Sequence, residues 1–144
     1  MGVALSSCTV PAAGKPTFEL ANNELEMGVG IHGEPGRERQ VMRSASEIVA
    51  EMVAAILKRL KVEKNSEILL LVSGFGATPQ MELYLLFNSA VKLLQSAGLK
   101  IERSLVGNYI TALDMAGASI TVCLLDAEVK ALWDAPVHTA ALRW

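Results

Sequence analysis

The sequence is poor in the residues that would place it in several common functional classes. Charged residues make up only 19% of the chain, aromatic residues 5%, and the formal net charge is -2. Binding to nucleic acid depends on clustered Lys and Arg side chains that displace counterions from phosphates, and the sequence has no such cluster. We therefore expect no nucleic-acid partner.

Cysteine is scarce, and long apolar runs are absent. Cys8 and Cys123 lie far apart within apolar stretches and lack the spacing of metal ligands. This pattern predicts buried free thiols, no metal site and a reducing, cytoplasmic compartment. No apolar run reaches the roughly 18 residues that a bilayer span needs, so we also expect no membrane association.

What the chain has in abundance is apolar side chains. Its 144 residues are 51% hydrophobic, which is enough for one domain, residues 1–144, with a core that needs no disulfide. Such a composition is unusually apolar for a free-standing domain of this size. We expect part of the apolar surface to contact a partner, most simply a second copy in a homodimer.

Hydrophobic periodicity predicts an α/β fold with two long helices. Ser44 and Glu47 have capping-box spacing before a helix over 44–61, and Thr78 and Pro79 are typical of the cap and first residue of a helix reaching Ala97. We predict strands over 2–8, 17–20, 24–31, 67–73, 99–110 and 118–125, and a short helix over 127–133. Residues 9–16 and 33–43 are predicted to be loops, and the tail from Asp134 extended.

Two long helices are too few to cover both faces of a sheet of this size. We therefore predict a two-layer α/β sandwich with a mixed β-sheet and the helices on one face. The other face would remain available to a second domain or subunit.

The candidate site is the segment Ile31-His32-Gly33-Glu34-Pro35-Gly36. Glycines on both sides of His32 allow another molecule to approach closely, and imidazole is a nucleophile or base near neutral pH. The alternative is an ordinary hydrogen-bonding loop histidine. Glu34 could orient the His32 ring or pair with Arg37.

Two further motifs are weaker. The turn Ser73-Gly74-Phe75-Gly76-Ala77-Thr78 lies between strand and helix, where backbone N–H groups could hold an anion, yet it lacks a nucleotide signature and a tight structural turn explains it equally. His138, the second of two histidines, is expected to make a structural polar contact.

Residues 24–36, Glu24-Leu25-Glu26-Met27-Gly28-Val29-Gly30-Ile31-His32-Gly33-Glu34-Pro35-Gly36, closely resemble the signature of dihydroxyacetone kinase substrate-binding subunits. Other matches follow in family order at residues 8–14, 76–79, 82–84, 113–117 and 133–139. The resemblance covers only the second domain of that subunit. It implies that the family's first domain, which carries the acid–base residues, is missing here, and that Asp114 is architectural. It also implies that Met1 is either internal to a longer chain or an artificial start, and the sequence does not distinguish the two.

The resemblance implies a covalent function for His32. Its distal ring nitrogen would attack the ketone of dihydroxyacetone and form a hemiaminal, which glycerol cannot do. No cofactor is expected on this chain, because ADP and Mg would lie on a separate kinase subunit. The terminus at residues 141–144 resembles that of the phosphotransferase-system-dependent type. The alternatives are a dihydroxyacetone-sensing transcriptional co-regulator that transfers no phosphate, and a purely structural interaction module.

Overall fold

The computed structural model describes residues 1–31, 34 and 36–144 of the chain. The strands found there are β1 (Gly2–Ala4), β2 (Thr9–Val10), β3 (Lys15–Pro16), β4 (Glu24–Met27), β5 (Glu38–Val41), β6 (Glu67–Gly74), β7 (Lys100–Gly107) and β8 (Gly117–Leu124). The helices are α1 (Ala45–Arg59), α2 (Gln80–Ser96) and α3 (Ala127–Asp134).

Six of these strands form one mixed sheet. Their order is β5-β4-β1-β8-β6-β7, and β6 pairs with β7 in parallel while the other neighbours are antiparallel. The short strands β2 and β3 form a separate hairpin. The predicted mixed sheet is confirmed, and β1 lies near its middle.

Helices α1 and α2 pack against each other and cover one face of the sheet, which we call the helix face. Alternate residues of the strands point into the main core on this side. The core includes Val3, Leu25, Met27, Val49, Met52, Ile68, Leu70, Val72, Leu83, Leu94, Ala118 and Ile120. The opposite side, the open face, carries the residues between them, such as Gly2, Ala4 and Ser119.

The helix boundaries follow local capping chemistry. Ser44 is the N-cap of α1, and its side chain and that of Glu47 form the predicted capping box. For α2 the prediction was wrong by one residue: Pro79 is the N-cap and makes no side-chain capping bond. The Thr78 hydroxyl is instead engaged by the backbone of Gly117.

Several predicted strand limits need correction. The strand predicted over 24–31 ends at Met27, because Gly28 has φ +82°, a left-handed conformation that ends the strand. The predicted loop over 33–43 contains the edge strand β5, and the predicted loop over 9–16 contains the β2–β3 hairpin. Residues 17–20 form no strand, and β1 ends at Ala4.

Charged side chains link helix α3 to the sheet. Arg103 of β7 forms a two-point ion pair with Asp134, with N–O distances of 2.7 and 2.6 Å, and Lys130 pairs with Glu67 at 2.5 Å. The tail folds back rather than extending as predicted: Val137 and Trp144 exchange backbone hydrogen bonds. The rings of Trp133 and Trp144 have centroids 5.0 Å apart.

Candidate functional site

His32 lies outside the described residues, as do Gly33 and Pro35, so the site is built from the residues around them. Residues 28–37 connect the antiparallel neighbours β4 and β5, and we call this connection the histidine loop. At its far end the Arg37 N–H donates a 2.7 Å hydrogen bond to the Met27 carbonyl, directly beside the place where the loop starts. The loop therefore leaves and rejoins the sheet at one point.

Val29 anchors the first part of the histidine loop on the open face. Only 5% of this residue is exposed, and it belongs to a second apolar cluster, the open-face cluster. Its buried members are Ala4, Cys8, Val29, Phe75, Ala112 and Met115. In the strand predicted over 24–31, alternation would place Val29 on the same face as Leu25 and Met27. The turn at Gly28 carries it to the other side of the sheet.

Two glycines of the histidine loop lie where a side chain would collide. A β-carbon on Gly30 would clash with the Glu34 carboxylate, which lies against this residue. A β-carbon on Gly36 would lie 2.5 Å from the carbonyl oxygen of Met27. The Glu34 side chain thus lies close to the backbone at Gly30, and the backbone of β4 lies close to Gly36. That these glycines admit another molecule, as the sequence suggests, stays a prediction.

The described residues next to His32 are accessible to solvent. Ile31 is 41% exposed, and Glu34 is also exposed. A groove of about 710 Å³ lies beside the base of the loop and is lined in part by Gly28, Val29 and Arg37. The described residues that flank position 32 in the sequence are therefore open to solvent, and the start and end of the loop border this groove.

A buried carboxylate lies under the loop, and the sequence did not single it out. Glu26 is only 8% exposed, and a β-carbon on Gly36 would be 2.6 Å from its Cγ. Arg39 of β5 neutralises it across the strand pair, at 3.4 Å. Alternation of charged residues in two adjacent strands could have revealed this pair, had β5 been recognised as a strand.

The turn after β6 is built as a structural element. The Phe75 and Ala77 N–H groups donate to the carbonyls of Gly117 and Met115, so these two donors already have backbone partners. The buried Ser73 hydroxyl accepts hydrogen bonds from the N–H groups of Tyr109 and Ile110, at 3.2 and 3.0 Å. These contacts favour the interpretation of residues 73–78 as a structural turn over that as an anion-binding site.

The remaining residues that the sequence singled out fall away from the histidine loop. Asp114 accepts a 2.8 Å hydrogen bond from the Thr9 N–H, in keeping with its predicted architectural role. His138 is exposed and takes part in a backbone bridge with Arg143, so the predicted polar side-chain contact is not found in the described part of the chain. Both cysteines are free, but only Cys8 is buried; Cys123 is exposed on β8.

The described ranges contain no helix of the length and apolarity that crossing a bilayer requires. Within the same ranges, no group of three or more His, Cys, Asp or Glu side chains is arranged to hold a metal ion.

Comparison with known proteins identifies the family to which these features belong. Residues 1–141 match the family model of the Dak1 domain, which is nearly the whole chain. The chain belongs to the Dak1 domain family. The resemblance read from the histidine signature is thereby confirmed.

Curated relatives of this Dak1 domain include two classes of enzyme. The PEP-dependent dihydroxyacetone kinase, dihydroxyacetone-binding subunit DhaK of Escherichia coli K12 is 45% identical over 168 aligned residues, which cover 100% of this chain and 47% of the relative. The human triokinase/FMN cyclase is 40% identical, and the alignment covers 98% of this chain and 25% of the human protein. The Dak1 chain thus spans about half, or less, of the curated relatives it matches.

Solved structures share the fold of the Dak1 chain. The dihydroxyacetone kinase operon co-activator Dha-DhaQ superposes with a TM-score of 0.86 at 34% identity, over 94% of this chain and 42% of its own. The dihydroxyacetone kinase of C. freundii in complex with AMP-PNP and Mg2+ gives a TM-score of 0.70 at 29% identity, over 90% and 24%. The α/β architecture with its mixed sheet is that of these neighbours.

Proposed function

We propose that this Dak1 domain holds dihydroxyacetone as a covalent hemiaminal on His32, as the second domain of a dihydroxyacetone kinase substrate subunit. The observation that carries the proposal is the histidine loop: it is anchored at Val29, closed at Arg37 and exposed beside residue 32. The E. coli relative is a dihydroxyacetone-binding subunit, which supports the choice of ligand.

The proposed chemistry is a reversible addition. The lone pair of the distal ring nitrogen of His32 attacks the carbonyl carbon, and the C=O π electrons move to oxygen. The proximal nitrogen loses its proton and the alkoxide gains one, so the adduct is neutral and no water leaves. Glycerol has no carbonyl and cannot react, which makes bond formation itself the basis of selection.

The covalent bond would fix a terminal hydroxyl of dihydroxyacetone for phosphoryl transfer. Anchoring one reactant converts the transfer into a step between positioned groups, which removes much of its entropic cost. In this proposal the phosphate comes from a separate subunit that holds ADP and Mg, recharged by the phosphotransferase system, and the acid–base residues come from the kinase's other domain. The chain alone would bind substrate without phosphorylating it, in the cytoplasm.

The test uses the two histidines of the chain as a matched pair. Dihydroxyacetone should raise the intact mass by one whole molecule, without loss of water, and peptide mapping under gentle conditions should locate the adduct on His32. His32→Ala should lose the adduct, whereas His138→Ala, a change at the exposed second histidine, should keep it. An adduct of equal yield on His32→Ala, or one that has lost water as a lysine imine does, would refute the proposal.

A second candidate function is ketose sensing without phosphoryl transfer. It is favoured by the closer superposition on the operon co-activator, TM-score 0.86, than on the C. freundii kinase, 0.70. One assay distinguishes the kinase from the sensor. The chain is supplied with the other domain of the subunit, an ADP-binding subunit and a phosphate donor. Formation of dihydroxyacetone phosphate identifies a kinase, and an adduct that is never phosphorylated identifies a sensor.

A further inference from the structure

Gly2 lies directly beneath the start of the histidine loop. It pairs with Ser119 of β8 on one side, and its carbonyl oxygen accepts a 2.7 Å hydrogen bond from the Gly28 N–H on the other. Val29 then continues across the open face above it. A residue at the beginning of the sequence is thus in contact with the segment that leads to His32.

There is no space for a side chain at position 2. A β-carbon there would lie 2.5 Å from the Val29 carbonyl oxygen and 2.9 Å from Cζ of Phe75. The nearer obstacle is backbone, which cannot rotate away as a side chain can. Relief of the clash would require the whole start of the histidine loop to move away from the sheet.

The Phe75 ring prevents the start of the loop from moving closer to the sheet. Phe75 is fully buried, and its ring also lies over Gly117 of β8, where a β-carbon would be 3.1 Å from Cδ2. The ring therefore spans two glycines on neighbouring strands. Because protein interiors are close-packed, a shift of Val29 cannot be absorbed by compressing this ring against the sheet.

We propose that Gly2 is a positioning residue for His32. The missing side chain at position 2 sets the height of Val29 above the sheet, and the rate at which His32 adds to a short ketose depends on that height. This inference rests on the proposed function, since it concerns the same covalent site.

The experiment compares Gly2→Ala with Gly107→Ala in the full chain. Gly107 is also a strand glycine on the sheet, but the three atoms nearest to its β-carbon would all belong to the Tyr109 side chain, the first at 2.7 Å. Tyr109 is 37% exposed, and its side chain can turn aside. Both variants are measured under conditions where circular dichroism reports them fully folded. Gly2→Ala should shift the backbone amide resonances of residues 28–37 and slow adduct formation at saturating dihydroxyacetone by roughly 100-fold, whereas Gly107→Ala should do neither.

A second variant covers the case in which Gly2→Ala does not fold. Val29→Ala removes the anchor of the loop and leaves β1 intact, so it should also move the amide resonances of the loop and slow the adduct. Wild-type adduct rates in folded Gly2→Ala, or in Val29→Ala if the first variant is unfolded, overturn the inference. If the wild-type chain forms no adduct, the proposed function is refuted. In that case the positioning role is still tested by the amide resonances, and unchanged loop resonances in Gly2→Ala refute it.

Discussion

Thr78 is the residue that joins the turn after β6 to the neighbouring strand. Its hydroxyl accepts a 2.8 Å hydrogen bond from the Gly117 N–H and donates one of 2.7 Å to the Gly117 carbonyl. The side chain is almost fully buried, so neither bond competes with water. Only a hydroxyl both donates and accepts in so small a volume, which explains a threonine at a position where the sequence predicted a helix cap.

Thr78→Val should destabilise the domain although it preserves the shape of the side chain. The Gly117 carbonyl keeps its bond from the Phe75 N–H, but the Gly117 N–H is left buried without an acceptor. The expected loss in the free energy of unfolding is about 1–3 kcal/mol, measured by urea denaturation. Ser96→Ala, which removes an exposed hydroxyl at the end of α2, is the control and should be nearly neutral. Equal effects of the two changes would contradict this account.

At the scale of elements, the sequence predicted those with strong local signals. Helix α1 has a capping box and a regular apolar face, and β6 is an apolar run, so local chemistry alone determines them. The end of β4 and the whole of β5 were missed. The φ of Gly28 depends on tertiary packing. Strand β5 is a polar edge strand, and its backbone pairs with a neighbouring strand, β4, on one side only.

The capping box of α1 gives a prediction at this scale. Ser44→Ala removes the acceptor for the Glu47 N–H and should lower the free energy of unfolding by about 1 kcal/mol, or the Tm by roughly 3 °C. Ser44→Asn retains a capping oxygen and should stay close to the wild type. Thermal unfolding followed by circular dichroism checks both. A Ser44→Asn variant as unstable as Ser44→Ala would mean that the cap is not the cause.

At the scale of the whole molecule, the candidate site is partly local and partly assembled by the fold. The signature around His32 is contiguous, so the sequence alone could suggest it. The contacts of Gly2 with Val29 and of Glu26 with Arg39 join residues from different strands, and only the strand order brings them together. The homodimer expected from the apolar composition stays a prediction, and analytical ultracentrifugation measures it directly.

Two carboxylates contribute to the attachment of α3 and the tail to the sheet. Hydrogen bonding to Arg103 lowers the pKa of Asp134 below its ordinary value of 3.8, and hydrogen bonding to Lys130 lowers the pKa of Glu67 below 4.5. A carboxyl whose pKa is lowered by folding contributes stability above its ordinary pKa and loses it as the pH falls through the lowered value. Both pairs are exposed to solvent, so each contribution is small and weakens further in salt.

Acid should therefore loosen α3 and the tail before it unfolds the apolar core. Both tryptophans of the chain, Trp133 and Trp144, lie in this unit, so tryptophan fluorescence reports on it alone, while circular dichroism is dominated by α1 and α2. On titration below about pH 4, the fluorescence change should precede the loss of helical signal. Asp134→Asn removes the ionisable partner of Arg103, so its fluorescence should differ at neutral pH and change less on acidification. Superimposable fluorescence titrations of wild type and variant would show that the Arg103–Asp134 pair does not hold the unit in place.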